Sequence, residues 1–239
     1  MYADDLILIS SSVSEMQIMI DVCTNELDSL DLQINVKKST CIRIGKRFGS
    51  ACFDLSTNGV LIPWSSTITY LGITIKSATK VQLDLKPCRA KFYRSFNSVY
   101  SKISRANEYL IVSLVNTYCS SVALYSLEAL DLNKSLLRGL DKLLYRAFCK
   151  IFKTYDENIV NWCMYYMNTW PLRFEYLNRR IKFLTKISKS DNNLLTTCYN
   201  VFGFAELCII RSNMNIKHTG FFQVKKDLWN CFASSIGAS

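Results

Sequence analysis

The apolar positions change their period once along the chain. Up to about residue 78 they come in short runs broken by turn residues, and beyond it they recur every three or four residues. Leu6-Ile7-Leu8-Ile9 is an unbroken apolar run behind Asp4-Asp5. With Tyr2-Ala3 leading in, it predicts a hairpin over 1–10 whose second strand is buried on both faces. Ser12 and Glu15 have capping-box spacing, and Met16, Met19, Ile20, Cys23, Leu27 and Leu30 follow at helical intervals. They predict an amphipathic helix over 14–30. Residues 40–44 alternate as a strand ended by Gly45. Asn58-Gly59, between apolar runs at 52–55 and 60–62, is a strong hairpin signal. A further strand is predicted over 67–75, with Gly72 inside it. A glycine there weakens a strand unless something approaches its backbone closely.

The second period predicts helices. Over 84–104, Leu85, Cys88, Phe92, Phe96, Val99 and Ile103 share one face, and Pro87 is tolerated only in the first turn. A largely apolar helix is predicted over 108–130. A wide stripe from Leu136 to Ile151 predicts another over 134–152, and Trp170-Pro171 opens one over 172–187. Weaker patterns predict short helices near 199–211 and 223–233. The fold class is therefore α+β, a strand-rich first third followed by helices.

Composition narrows the function. The 239 residues are 49% apolar and 20% charged, which is a folded composition. The net charge of +10 favours an anionic partner, nucleic acid being the common case. Ten cysteines without CxxC spacing, and a single histidine, His218, give no zinc pattern and read as reduced core cysteines. No signal peptide and no uncharged stretch of transmembrane length is visible, so the expectation is an intracellular protein without a membrane partner. The charge is uneven. Residues 1–36 hold seven acidic side chains and no Lys or Arg. Residues 80–105 hold seven basic ones against Asp84, and 171–189 hold six against Glu175. On the helix over 84–104 and just beyond it, Lys86, Arg89, Lys91, Arg94, Lys102 and Arg105 are candidates for phosphate-backbone contact. A solvated helix face is the plainer reading of either basic run.

Tyr2-Ala3-Asp4-Asp5 carries the candidate chemistry. Adjacent carboxylates at a turn repel one another, and a divalent cation relieves that cost. Mg²⁺ takes carboxylate and phosphate oxygens, and two such ions clamp the attacking and leaving oxygens of phosphoryl transfer.

Three motifs, in order, carry a resemblance: Tyr2-Ala3-Asp4-Asp5 with the apolar run after it, Leu32-Gln33-Ile34-Asn35-Val36-Lys37-Lys38-Ser39, and Thr69-Tyr70-Leu71-Gly72-Ile73. In them the chain resembles the reverse transcriptases of non-LTR, LINE-like retrotransposons. The resemblance covers about residues 1–150 and continues more loosely to about 190. It implies a partial polymerase palm of hairpins and a helix over 1–78, a helical thumb over 79–155 and a helical C-terminal extension over 156–239. It also implies RNA-directed DNA synthesis with Mg²⁺, an RNA template and a DNA primer. Asp4 would be the firmer metal ligand with Asp5 beside it, and Tyr2 would lie near the primer end. Lys38, in preference to Lys37, would lie near the nucleotide phosphates, and Tyr70, Leu71 and Gly72 would grip the primer. Tyr125-Ser126-Leu127-Glu128 resembles a segment usually written with glycine after the tyrosine, so Ser126 departs from it. In that family a further metal-binding aspartate, the fingers and an endonuclease precede the YADD box. The expectation is thus a polymerase fragment, inactive alone. The alternatives are a non-catalytic nucleic-acid-binding helical protein derived from a retroelement, and a helical interaction module.

Overall fold

In the computed structural model, which describes residues 4–218 and 220–238, an N-terminal helix and two small open sheets precede a long, mainly helical region. The chain divides into two units, Met1–Asp84 and Leu85–Ser239.

The first unit is held by polar clamps around a small core. Helix α1 (Val13–Asp28) starts at Ser12, whose hydroxyl accepts the Glu15 N–H at 3.2 Å. The Glu15 carboxylate accepts from the hydroxyls of Ser11 and Ser10 at 2.8 and 3.0 Å instead of closing a reciprocal box. These bonds, Ser11's first, hold its carboxyl below the ordinary range. Strands β1 (Leu55–Thr57) and β2 (Val60–Ile62) form an antiparallel hairpin. Its turn places Asn58 and Gly59 at φ 48° and 77°, the left-handed pair that the dipeptide predicts. The Gln17 amide donates to the Ser56 carbonyl at 2.8 Å and accepts its N–H at 3.0 Å, acting as a neighbour for β1. The hydroxyls of Thr24 and Thr57 meet at 2.8 Å. Ile20, Leu55 and Ile62 are the buried centre, with Leu8, Val13, Met16, Val36, Cys41 and Trp64 around them.

The second sheet, β3 (Thr67–Tyr70), β4 (Ile73–Lys76) and β5 (Gln82–Asp84), is antiparallel in that order. The single strand expected over 67–75 is therefore a hairpin. It turns at Leu71 and Gly72, whose φ values are 47° and 82°. Gly72 is explained by this turn, since a left-handed backbone costs L-residues about 1–2 kcal/mol. Strand β5 was not expected, and Lys76 pairs with its Asp84 at 3.0 Å.

Two further expectations fail. Residues 6–9 form no strand, and Leu6, Ile7 and Ile9 are exposed. A strand buried on both faces needs sheet neighbours, and neither sheet includes this segment. Residues 40–44 make only two single bridges, Cys41 to Trp64 and Ile44 to Ala78. Tyr2 and Ala3, the lead-in of the expected first hairpin, lie outside the described residues.

The second unit is a packed helical body. Helix α2 (Lys86–Ile103) starts two residues later than expected because Asp84 belongs to β5, and Pro87 sits in its first turn. Helix α3 (Glu108–Leu114) runs through a π turn, Val115–Cys119, into α4 (Ser120–Ala123). The helix expected to reach residue 130 stops there. Ser126 adopts φ 59° before a short 3-10 turn, Leu127–Ala129. Helix α5 (Lys134–Phe152) matches its predicted span, capped by Asn133 and ended by Lys153 at φ 53°. Helix α6 (Glu157–Tyr166) was not expected; Asp156 caps it by accepting the N–H groups of Asn158 and Ile159. Helix α7 (Leu172–Ile187) also matches. Helix α8 (Asn193–Cys198), a π turn (Tyr199–Gly203) and α9 (Phe204–Asn213) form one continuous run, and α10 (Phe221–Ser235) follows.

Helix α7 is the hub, touching α5, α9, α10 and the 3-10 turn. Phe148, Leu140, Leu144, Leu172, Ile181, Leu228 and Phe232 are among the fully buried side chains. Tyr176 of α7 donates to the Leu130 carbonyl at 2.6 Å and accepts the Leu132 N–H at 3.2 Å. Its burial pushes the hydroxyl up to about 12. Arg180 pairs with Glu206 of α9 and donates to the Glu128 carbonyl at 2.9 Å. Among the described residues one helical stretch, Asn193–Asn213, is long and apolar enough to cross a membrane by length and composition; 11% of it is buried, and it carries Glu206.

Candidate nucleic-acid interface

In the first unit most of the described motif residues sit at or beside turns, and the charged ones face water. Asp4 lies in a turn, Asp5 follows it in a single bridge position, and both are exposed. Lys37 and Lys38 lie in a tight turn in which the N–H groups of Lys38 and Ser39 both bond the Asn35 carbonyl at 3.0 Å. Both lysines are exposed. Tyr70 ends β3, and Leu71-Gly72 form the β3–β4 tip, with Tyr70 and Leu71 half-buried and Gly72 exposed. Tyr2 is outside the described residues. Among the described residues no hydrogen bond or salt bridge joins Asp4 or Asp5 to either lysine. Nor does any group of three or more His, Cys, Asp or Glu gather there as a metal site. Asp4 and Asp5 are two exposed carboxylates next to each other in the chain.

The second unit carries the cations. On α2, Leu85, Phe92 and Phe96 are buried, with Cys88, Val99 and Ile103 half-buried beside them, so the apolar stripe faces inward as its spacing requires. Lys86, Lys91, Arg94 and Lys102 are exposed, as is Arg105 in the turn after the helix. Lys91, Arg94 and Lys102 stand three and eleven residues apart from the first, which places them on one face. Among the described residues Lys91, Arg94, Lys102 and Arg105 form no salt bridge. Such a row is free to displace counterions from a phosphate backbone.

Arg89 differs from its neighbours. It is half-buried, and its guanidinium lies against Gly139 of α5, where any Cβ would collide with it. Arg89 thus belongs to the α2–α5 packing more than to the surface. Half of the second basic run is likewise paired within the fold. Arg173 pairs with Asp141 at 3.3 Å, Arg179 with Glu175 at 3.2 Å, and Arg180 with Glu206. Burial pushes the Asp141 carboxyl up, opposed by the Arg173 N–H and guanidinium. Lys182, Lys186 and Lys189 of that run remain exposed.

One feature carried no motif in the sequence. An open pocket of about 300 Å³ is lined by Asn168, Trp170, Phe222, Lys225, Lys226 and Trp229. Its walls come from the α6–α7 junction and from α10, so no local spacing announces it. The available signal was the alternation of aromatics and lysines in Phe221-Phe222 to Trp229.

No family model, no curated protein and no solved structure matches the chain. The fold supports the class of an α+β protein with small open sheets and a long helical region.

Proposed function

We propose that the chain is the later palm and the thumb of an RNA-directed DNA polymerase of the LINE-like kind. In this reading residues 1–78 belong to the palm, 79–155 form the thumb and 156–239 the C-terminal extension. The observation that carries it is the placement of three motifs in their order. Asp4-Asp5, Lys37-Lys38 and Leu71-Gly72 each fall at or beside a turn of one unit, and a helix follows on which Lys91, Arg94 and Lys102 are exposed and form no salt bridge among the described residues. Ser126 adds support. The position where the resemblance expects glycine has φ 59°, the conformation that favours glycine.

In the intact polymerase Mg²⁺ would supply charge neutralisation of the nucleotide phosphates, with Asp4 as its ligand and Asp5 beside it. The two side chains come from one turn and cannot surround two ions. A further carboxylate from another palm strand is required. The 239-residue chain is therefore expected to hold RNA template and DNA primer without extending the primer. The bare apolar side chains Leu6, Ile7 and Ile9 fit this view, because a palm strand is covered by sheet neighbours.

The test is primer extension on an RNA template with Mg²⁺ or Mn²⁺. No incorporation is expected from the chain or from Asp4→Ala. Template-dependent incorporation that Asp4→Ala abolishes would show that a complete site exists. The second reading, a non-catalytic nucleic-acid-binding protein, is favoured by the placement of the cation row in the helical unit. It predicts that removing Asp4 and Asp5 leaves the protein's activity in vivo unchanged.

A further inference from the structure

The aromatic pocket of the helical unit is built for more than core packing. Buried Phe174 and Phe232 anchor its inner end, with ring centroids 5.9 Å apart. Trp170 stacks on Phe174 at 6.3 Å, and Trp229 meets Trp170 at 6.1 Å and Phe232 at 5.7 Å. Tyr165 backs Trp229 at 5.4 Å. These contacts bury Trp170, only 9% exposed, and leave Trp229 half-buried in the wall of the open pocket. At the rim Phe222 is 92% exposed. The same helix buries Phe232 about three turns later, and Phe221, 48% exposed, stands next to Phe222, so the rim presents an apolar edge that a ligand ring could cover.

The charges select the partner. Lys225 Nζ stands 5.9 Å over the Trp170 ring, and Lys226 lines the same opening. Among the described residues neither lysine forms a salt bridge. Asp227, their neighbour in sequence, is turned onto His218 Nδ1 at 3.0 Å and the Lys217 N–H at 3.3 Å. Flat aromatic faces beside two cations repel a cationic ligand and suit a flat ring carrying a phosphate. The Asn168 amide supplies a donor and an acceptor for the edge of such a ring. About 300 Å³ admits one such group, at the lower end of small-ligand pockets.

We infer that this pocket binds one nucleotide of a single-stranded nucleic acid, its base against Trp229 and Phe222 above the buried Trp170 and its phosphate on Lys225 and Lys226. The inference rests on the nucleic-acid reading above for its class of ligand, and it assigns to α10 a site distinct from the cation row of α2. Base stacking on aromatics is tolerant of sequence, so pyrimidine and purine strands should both bind.

The experiment titrates the full chain with oligo(dT), with duplex DNA and with dTMP, following Trp fluorescence and anisotropy. Oligo(dT) should quench Trp fluorescence. Phe222→Ala, at a ring already in water, should weaken oligo(dT) binding roughly tenfold and leave duplex binding unchanged. Lys225→Ala/Lys226→Ala should flatten the salt slope for oligo(dT) by about 1.4, because single strands release about 0.7 counterions per phosphate neutralised. Lys91→Ala/Arg94→Ala should weaken the duplex and spare the quenching. Oligo(dT) binding that both α10 variants leave intact would overturn the inference while sparing the nucleic-acid reading. Loss of all nucleic-acid binding in the unaltered chain would overturn both. Binding of dTMP as tight as oligo(dT) would overturn the strand as occupant in favour of a free nucleotide.

Discussion

In the helical unit α7 is covered by α5, α9 and α10, and Leu172, Ile181 and Leu184 along it are 1–3% exposed. In the first unit α1 packs on the β1–β2 hairpin, while Ile18 and Val22 on its other side are 62% and 55% exposed. The hairpin itself shows Val60 and Leu61 to water. One unit thus rests on a continuous hydrophobic core. The other rests on side-chain clamps, Gln17 on Ser56 and Thr24 on Thr57, around three buried residues. Buried apolar area is the dominant stabilising term, so the helical unit should carry most of the chain's stability. Exposed apolar side chains occur in both units, Ile9 and Phe53 in the first and Leu194, Phe202 and Phe222 in the second, so the contrast lies in the cores.

Breaking the ion pair at the hub gives the largest expected effect. Arg180 is 6% exposed, and Glu206→Gln would leave its charge buried without a counter-ion. The cost should be about 3–5 kcal/mol in denaturant unfolding followed by helical circular dichroism. A cost under about 1 kcal/mol would mean that α9 does not hold α7 as described.

Alkaline titration comes next. The Tyr176 hydroxyl, raised by burial from 10.0 to about 12, stays protonated in the folded state after its unfolded counterpart ionises. Because the folded value is the higher one, its contribution is fully present below pH 10 and is lost as pH rises through about 12. The helical signal should lose on the order of 2 kcal/mol of stability across that window. Tyr176→Phe should remove this dependence. A profile identical in the two proteins would contradict the buried hydroxyl.

The helical unit was the more legible in sequence, for the same reason that it is the better packed. Helices α5 and α7 satisfy their apolar stripes within the unit, so the stripe and the boundaries agree to the residue. The run 6–9 reads as a buried strand because burial is what four consecutive aliphatics ask for, yet among the described residues no sheet partner meets it. Asn58-Gly59 succeeded because both φ angles it requires are local. Leu71-Gly72 gives the same left-handed pair, but leucine at the first position hid the turn. Helix α6 was missed because Trp162, Tyr165 and Tyr166 crowd its surface and only Val160 and Met164 are buried; Asp156 was the cap that could have marked it. The pocket was illegible because Trp170 and Trp229 meet only through the packing of α10 on α7.

Smaller effects are expected at the Ser126 turn and on the surface of the first unit. Ser126→Gly relieves a left-handed serine at φ 59° and should stabilise the helical unit by roughly 0.5 kcal/mol, the relief being partly offset by greater freedom of the unfolded chain. A loss of stability would argue against that turn. Ile18→Lys and Phe53→Lys, at side chains 62% and 87% exposed, should change stability by less than about 0.5 kcal/mol and reduce self-association in light scattering. A cost of about 2 kcal/mol for either would show that the first unit is covered after all.

The most direct test of the account is the binding of an RNA–DNA primer–template duplex across a salt series, measured by anisotropy. Log affinity should fall linearly with log salt, and Lys91→Ala/Arg94→Ala/Lys102→Ala should reduce that slope by roughly two to three, as expected for phosphate contacts on one face of α2. Affinity unchanged between low and moderate salt, or a slope that the triple variant leaves intact, would contradict a nucleic-acid backbone on that helix.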